Sequence, residues 1–315
     1  MVKLVVHRLG LGVVTLWVMS VLVFGATEIL PGDVATVILG QESTEEARAA
    51  LRQRLGLDRP VVERYGRWLG GVLRGELGLS LSTDTPVSRI VGLRITNTLV
   101  LAVVTAVLAV PLSVGLGLLS AAYPRSVFDK TLTLGSLIVI SLPEFVVGLL
   151  LVLLLAVQLK LLPTMTPTPS FTSVSGIVRA LTLPALTLLA SVQAHMIRMT
   201  RAAVLDVMRR PYIEMALLKG ASKSRIILRH ALPNALAPIV NVVALNLGYL
   251  VSGVVIVEVV FTYPGLGRLM VDSVATRDIP VVQVTAMIFC TAYIVLTLAA
   301  DVIAVLTNPR LRYAK

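Results

Sequence analysis

One acid, three amides and one imidazole stand inside stretches of the chain that are otherwise apolar. Glu144 follows Pro143 in a run of aliphatic residues; Gln193 and His195 lie in a second run, Asn241 and Asn246 in a third. Polar groups in such surroundings are costly and often functional, or they hydrogen-bond between helices. For Glu144 two readings are open: it lines a pathway and attracts an amino group, or it pairs with an internal Arg. Asn241 and Asn246 share the pathway reading, and with Gln193 and His195 the bonding between helices. Glu258, near the outer end of its run, reads as a cap or a snorkelling group, and Asp301 as a partner for nearby Arg. Catalysis has no convergent set to build on. His7, His195 and His230 are far apart, and no His-Glu-x-x-His occurs. Cys290 sits in an apolar run, where a thiol is most often a small hydrophobe. There is no Gly-x-x-x-x-Gly-Lys-[Ser/Thr] loop and no Gly-Lys dipeptide, so the chain does not cradle a nucleotide in the P-loop manner. The expectation is a non-enzyme with no metal or cofactor of its own.

The stretch 212–234, YIEMALLKGASKSRIILRHALPN, has a different chemistry. An apolar stripe (Ile213, Ala216, Leu217) leads to Gly220, then to a basic helix with Ile226, Ile227 and Leu232, and Pro233 stands where the next apolar run begins. This predicts two short helices joined at a glycine. Small residues at Ala216, Gly220 and Ala221 let another surface approach closely, as in a helix that docks into a partner's groove. An ordinary basic loop held at a lipid surface has the same spacing.

The elements that must position these groups are membrane spans. Of 315 residues, 56% are hydrophobic and 14% charged, against roughly a quarter charged in a soluble domain. A bilayer core about 30 Å thick needs roughly 20 apolar residues per helix. Six runs meet that length: 9–30, 95–124, 131–159, 180–197, 231–257 and 279–300. The first is too long for a signal peptide and lacks a clear small-x-small cleavage site; Pro31-Gly32-Asp33 ends it. Pro111, Pro143, Pro184 and Pro238 lie in or beside the runs, where the backbone groups they free need other partners. Residues 31–94 read as an external helical insertion: from 33 to 94 they carry nine Arg and eight Asp or Glu. Helical spacing over 44–55 and 61–73, with Ser43 or Thr44 as a start, predicts surface helices there. With the N-terminus inside, the cytoplasmic segments 123–130, 198–230 and 307–315 hold two, eight and three Lys or Arg, against two in each short outer loop. That asymmetry places both termini in the cytoplasm. It also accounts for the net charge of +11 without a nucleic-acid partner. No internal repeat stands out, so 1–315 reads as one membrane domain with lipid around it.

The loop then acquires a family. Glu214, Ala216, Gly220, Leu232 and Pro233 fall on the positions of the EAA loop of ATP-binding cassette (ABC) importer permeases. It is closer still to the peptide/nickel permease family: Tyr212, Ile213, Ala216, Lys219, Gly220 and Ala221 match one half of that family's loop. Arg229, His230, Ala231, Leu232, Ala235 and Leu236 match the other half. The resemblance covers nearly the whole chain. Phe24 with Leu30-Pro31-Gly32-Asp33 resembles the family's first span. Leu55-Gly56-Leu57-Asp58-Arg59-Pro60, Tyr65, Trp68-Leu69 and Gly75–Ser80 resemble its external region. Glu258–Phe261 with Pro264-Gly265-Leu266-Gly267-Arg268-Leu269 is similar to its last outer loop, and Asp301 with Asn308–Arg312 to its C-terminus. The long first external region resembles the "B" type of the two peptide permeases. Glu214 and Met215 depart from the basic residue and Thr that many peptide permeases carry, and restore the acid of the general EAA pattern.

The resemblance implies an all-α integral membrane protein of the ABC type I importer permease fold. It would have six transmembrane helices, the external insertion between the first and second, and a cytoplasmic coupling loop over 206–234 between the fourth and fifth. It implies a multi-pass subunit of the bacterial cytoplasmic membrane that forms half of a translocation pathway for short peptides; nickel, glutathione or another small solute are the alternatives within the class. A secondary transporter is the rival outside it, and would need coupling charges that Glu144 alone does not supply. The implied partners are a second homologous permease, two ABC ATPase subunits (or one fused ATPase) that carry ATP and Mg, and an extracytoplasmic substrate-binding protein. ATPase coupling falls to Tyr212, Glu214, Ala216, Lys219, Gly220 and Ala221. The pathway falls to Glu144, Asn241 and Asn246, and the face toward the binding protein to Pro264, Gly265 and Gly267.

Overall fold

The computed structural model describes residues 2–29, 36, 39, 43–163 and 174–307. The expected motifs at Leu30–Asp33 and Asn308–Arg312 lie outside them. The described residues form eleven helices and no strand, with one isolated antiparallel bridge between Leu79 and Pro86. In chain order they are α1 (Val2–Ile29), α2 (Glu45–Leu55), α3 (Val61–Arg74), α4 (Val87–Ala122) and α5 (Val127–Ser141). There follow α6 (Glu144–Gln158), α7 (Val174–Met208), α8 (Pro211–Leu218), α9 (Lys223–Val260), α10 (Leu266–Ala275) and α11 (Ile279–Thr307).

Among the described residues five helices are long and apolar enough to cross a membrane, and α5 with α6 supplies a sixth span if the bent pair counts as one. An 18-residue stretch of α11 buries none of its residues in the chain, and α1 leaves Val13, Trp17 and Leu22 more than half exposed. So much open apolar surface requires lipid or a partner. At 1.5 Å per residue the 36 residues of α4 reach about 54 Å. That exceeds a bilayer core, so the first turns of α4, with Arg89 and Arg94, lie outside it.

The third span is not the single helix its uninterrupted run predicts. α5 and α6 meet at 108°. Leu142 is extended (φ −97°, ψ 135°) because the residue before a proline is excluded from the helical region, and Pro143 opens α6 without needing an N–H. The end of α6 is π-helical from Val152 to Gln158, and so is the segment Ile226–Ala231 of α9. The fifth span therefore runs unbroken from Lys223, and the basic helix expected ahead of Pro233 is its first part.

Two compact units divide the chain, one comprising 99–263 with the two chain ends, the other 7–98 and 264–294. The first unit has two apolar clusters. One holds Leu101, Leu188, Met196, Val254, Phe261 and Tyr263; the other holds Ala121, Val204, Ile213, Ile226 and Ala235.

The second unit contains α2 and α3. Thr44 Oγ1 accepts from the Ala47 N–H at 3.3 Å and starts α2, as expected. Gly56 and Gly75 end α2 and α3 in left-handed turns. α3 lays Tyr65 and Trp68 on Phe24 of α1, with ring centroids 5.5 and 5.6 Å away. Glu28 pairs with Arg64 beside them. The turn after Gly78 is held by Asp278, which is 2% exposed. Its carboxylate accepts from the Ser80 hydroxyl, the Leu81 N–H (3.0 Å) and the Ser82 hydroxyl (2.8 Å).

Candidate functional site

α8 is eight residues long, opens on Pro211 and closes on Gly220. The Ala221 N–H donates to the Ala216 carbonyl (3.1 Å) and the Gly220 N–H to the Leu217 carbonyl (2.9 Å), the paired bonds of a Schellman termination. Gly220 has φ +78°, a conformation that costs an L side chain roughly 1–2 kcal/mol. One face of the helix is anchored. Ile213 is fully buried in the second apolar cluster, with Ala216 and Ala221 packed against it. The other face is open: Met215, Leu217 and Leu218 are 55, 51 and 77% exposed, and Tyr212, Glu214, Lys219 and Gly220 are exposed with them. The expected stripe therefore splits. Ile213 and Ala216 face the chain's own core, and Leu217 faces out. Three apolar side chains, Met215, Leu217 and Leu218, thus stand together on the open face of an eight-residue helix.

The end of α7 that leads into this loop is clamped. Asp129, 3% exposed, accepts from Arg201 Nε (2.6 Å) and Nη2 (2.8 Å), from the Arg125 N–H (2.8 Å) and from the Ser120 hydroxyl. These bonds join α4, α5 and α7. Lys223, at the head of α9, stands 5.8 Å from the ring centroid of Tyr123 in the turn between α4 and α5. The turn thus touches α5 through Arg125 and the head of α9 through Tyr123.

A cavity of about 490 Å³ opens where the third span breaks. Glu144, Ser191, His195, Asn246, Tyr249 and Gly253 are among its lining residues. Glu144, the first residue of α6, is half-buried with its carboxylate flat against α9: a Cβ on Gly253 would stand 2.8 and 2.9 Å from its two oxygens. Among the described residues no Lys or Arg pairs with it, which leaves the alternative of an internal Arg without support. Asn246 is buried and donates Nδ2–H to the Val242 carbonyl of its own helix (2.8 Å), not across to another helix. Asn241 is exposed and does not line the cavity. Glu258 does not snorkel. It is fully buried, because the chain turns back over it so that the Tyr263 N–H reaches the Glu258 carbonyl (2.8 Å).

In the second unit the Pro264–Gly267 turn leads directly into α10, a helix the sequence did not announce. The Leu266 N–H donates to Thr98 Oγ1 (2.8 Å) and Asn97 Nδ2–H to the Pro264 carbonyl (2.8 Å). Gly265 and Gly267 are buried and Pro264 half-buried.

Residues 113–313 match the binding-protein-dependent transport system inner membrane component family, and residues 1–105 its N-terminal companion. The chain belongs to this family. It is 37% identical over 314 residues to the glutathione transport system permease protein GsiC of Escherichia coli (strain K12), covering 99% of this chain and 100% of that one. To the probable peptide ABC transporter permease protein y4tP of Sinorhizobium fredii it is 34% identical over 309 residues, 98% of this chain and 99% of that one.

The protein is thus a multi-pass membrane permease subunit of an ABC importer, with no enzymatic activity of its own, in a family that works with ATPase and binding-protein partners. Against that role, two features of this permease escape the sequence. Asp129 reads as one more loop charge beside Lys130, and nothing local signals its partner in α7. Gly253 looks like any small residue in a span; only its place opposite Glu144 gives it meaning.

Proposed function

We propose that this permease forms half of a transmembrane pathway for short peptides, tripeptides of the glutathione type among them, and couples to a separate ATPase through α8. The other half is a second homologous permease. Two ABC ATPase subunits, or one fused ATPase, bind ATP with Mg and hydrolyse it, and an extracytoplasmic binding protein delivers the substrate. Residues 206–234 form the cytoplasmic coupling loop, 31–94 the external insertion, and both termini lie in the cytoplasm of a bacterial inner membrane. Pro264, Gly265 and Gly267 belong to the side that the binding protein approaches.

The observation that carries the coupling role is the open apolar face of α8, with Met215, Leu217 and Leu218 exposed on a helix whose opposite side is anchored by Ile213. A groove on the ATPase fits such a face, and ATP shifts the inward–outward equilibrium only through a difference in how the two states hold it. The peptide class is supported by the names of the relatives, one a glutathione permease and one a probable peptide permease. The test is reconstitution in vesicles of the complex that co-purifies with the chain. ATP-dependent accumulation of labelled glutathione or trialanine is the expected result. Uptake by the isolated chain without ATP overturns the reading.

A further inference from the structure

The cavity at the break in the third span has the chemistry of a cation site. Its lining includes one carboxylate, Glu144, one imidazole, His195, and no Lys or Arg. Asn246 gives one amide N–H to the Val242 carbonyl, and its Oδ1 supplies a neutral acceptor. Ser191 and Tyr249 add hydroxyl acceptors around the same space. A metal ion would want several carboxylate, imidazole or thiolate ligands together. Among the described residues no such group of three exists. A primary ammonium group has three N–H donors and no acceptor, and one carboxylate with neutral oxygen acceptors satisfies it. Gly253 makes the arrangement possible. With any Cβ at 253, 2.8 Å from Oε1, the carboxylate would have to move. The volume of about 490 Å³ suits a ligand of a few residues rather than a bare ion.

We propose that this cavity is a subsite for the primary ammonium group of the transported peptide, with Glu144 as its counter-charge, Asn246 Oδ1 as a neutral acceptor and Gly253 as the residue that positions the carboxylate. The inference rests on the reading of the chain as half of a peptide pathway and adds the group by which the peptide is held. In the low dielectric of a span an ammonium ion is stable only beside an opposite charge. Glu144 gives the substrate a way station that a neutral lining would not.

The test uses the complex in lipid nanodiscs and two probes that differ only in the ammonium group: trialanine amide and N-acetyl-trialanine amide. An apolar carbodiimide modifies buried carboxyls, and peptide mass spectrometry reads its rate at Glu144. Trialanine amide is expected to slow modification about tenfold, the factor equivalent to ~1.4 kcal/mol, while the acetylated probe leaves it unchanged. Equal protection by both probes, or by neither, overturns the proposal. Gly253→Ala is expected to abolish the difference between the probes; where that variant fails to assemble, Asn246→Leu is expected to weaken it. Glu144→Gln, which keeps the shape, is expected to lower uptake of trialanine into vesicles at unchanged affinity of the binding protein for it. Protection is read whether or not uptake occurs. A complex that protects Glu144 selectively but imports neither glutathione nor trialanine retains the subsite and loses the peptide-importer reading.

Discussion

Arg201 grips the Asp129 carboxylate with two parallel donors, Nε to Oδ1 at 2.6 Å and Nη2 to Oδ2 at 2.8 Å, across 72 residues of sequence. The Ser120 hydroxyl and the Arg125 N–H complete the acid's partners. Asp129→Asn cannot accept all four, and its loss is expected at about 2 kcal/mol, the range for hydrogen bonds to a charged group. Arg201→Lys keeps the charge but loses the planar fork, at about half that cost. Reversing both charges does not restore stability, because Ser120 and the Arg125 N–H would then face a guanidinium. Thermal unfolding of the purified permease in detergent checks the order. An Asp129→Asn midpoint equal to that of the parent removes the clamp from the account.

Gly220 presents a purely conformational cost. Nothing lies within 4 Å of the position a Cβ would take, yet φ is +78°. Gly220→Val is expected to cost ~1–2 kcal/mol locally and to unwind the end of α8. Asn, which tolerates the left-handed region, should be much milder. The functional consequence is ATP hydrolysis without uptake in the Val variant. Parallel ATPase and vesicle-uptake assays read it, and normal uptake by Gly220→Val would contradict the docking role of α8.

Two glycines of α4 make an internal control. A Cβ at Gly117 would meet Thr200 Cβ at 2.8 Å and the Ile197 carbonyl at 3.0 Å, whereas one at Gly115 meets nothing within 4 Å. Gly117→Ala is expected to destabilise by ~1–3 kcal/mol through overpacking. Gly115→Ala should stabilise by ~0.5–1 kcal/mol through helix propensity. Equal thermal midpoints for the two variants would mean that α4 and α7 are not in close contact there.

Asp278→Asn breaks a different set, the three donors of the 80–82 turn. Loss of a buried acceptor of this kind costs about 1–3 kcal/mol, and the effect should be local. Hydrogen exchange at Leu81 and Thr83 should rise while exchange in the middle of α4 stays slow. Uniformly faster exchange would make Asp278 a determinant of global stability instead.

What the sequence made legible was whatever depends on neighbours within a turn or two. Run lengths gave the spans, Ser43 or Thr44 gave the start of α2, and Gly220 gave the joint after α8, because caps and left-handed turns are local. Pro143 marked backbone groups in need of other partners but not a bend of 108°; that angle is set by what α6 packs against. The stripe Ile213, Ala216, Leu217 was visible, yet its division between core and open face depends on Ala121, Val204 and Ile226, which come from three other parts of the chain. Glu258 looked water-facing because it stands near the end of an apolar run. Its burial comes from Phe261 and Tyr263, which follow it and turn inward. Of the cavity, Glu144 and Asn246 could be named from their polarity. Asn241 shared that polarity and lies elsewhere, since polarity alone does not give the azimuth of a side chain on a helix.

The bonds of Asp278 have a mechanical meaning. They fuse the 79–86 turn to the head of α11. Three bonds to one buried carboxylate leave little play, so the turn and the helix head move as a single piece.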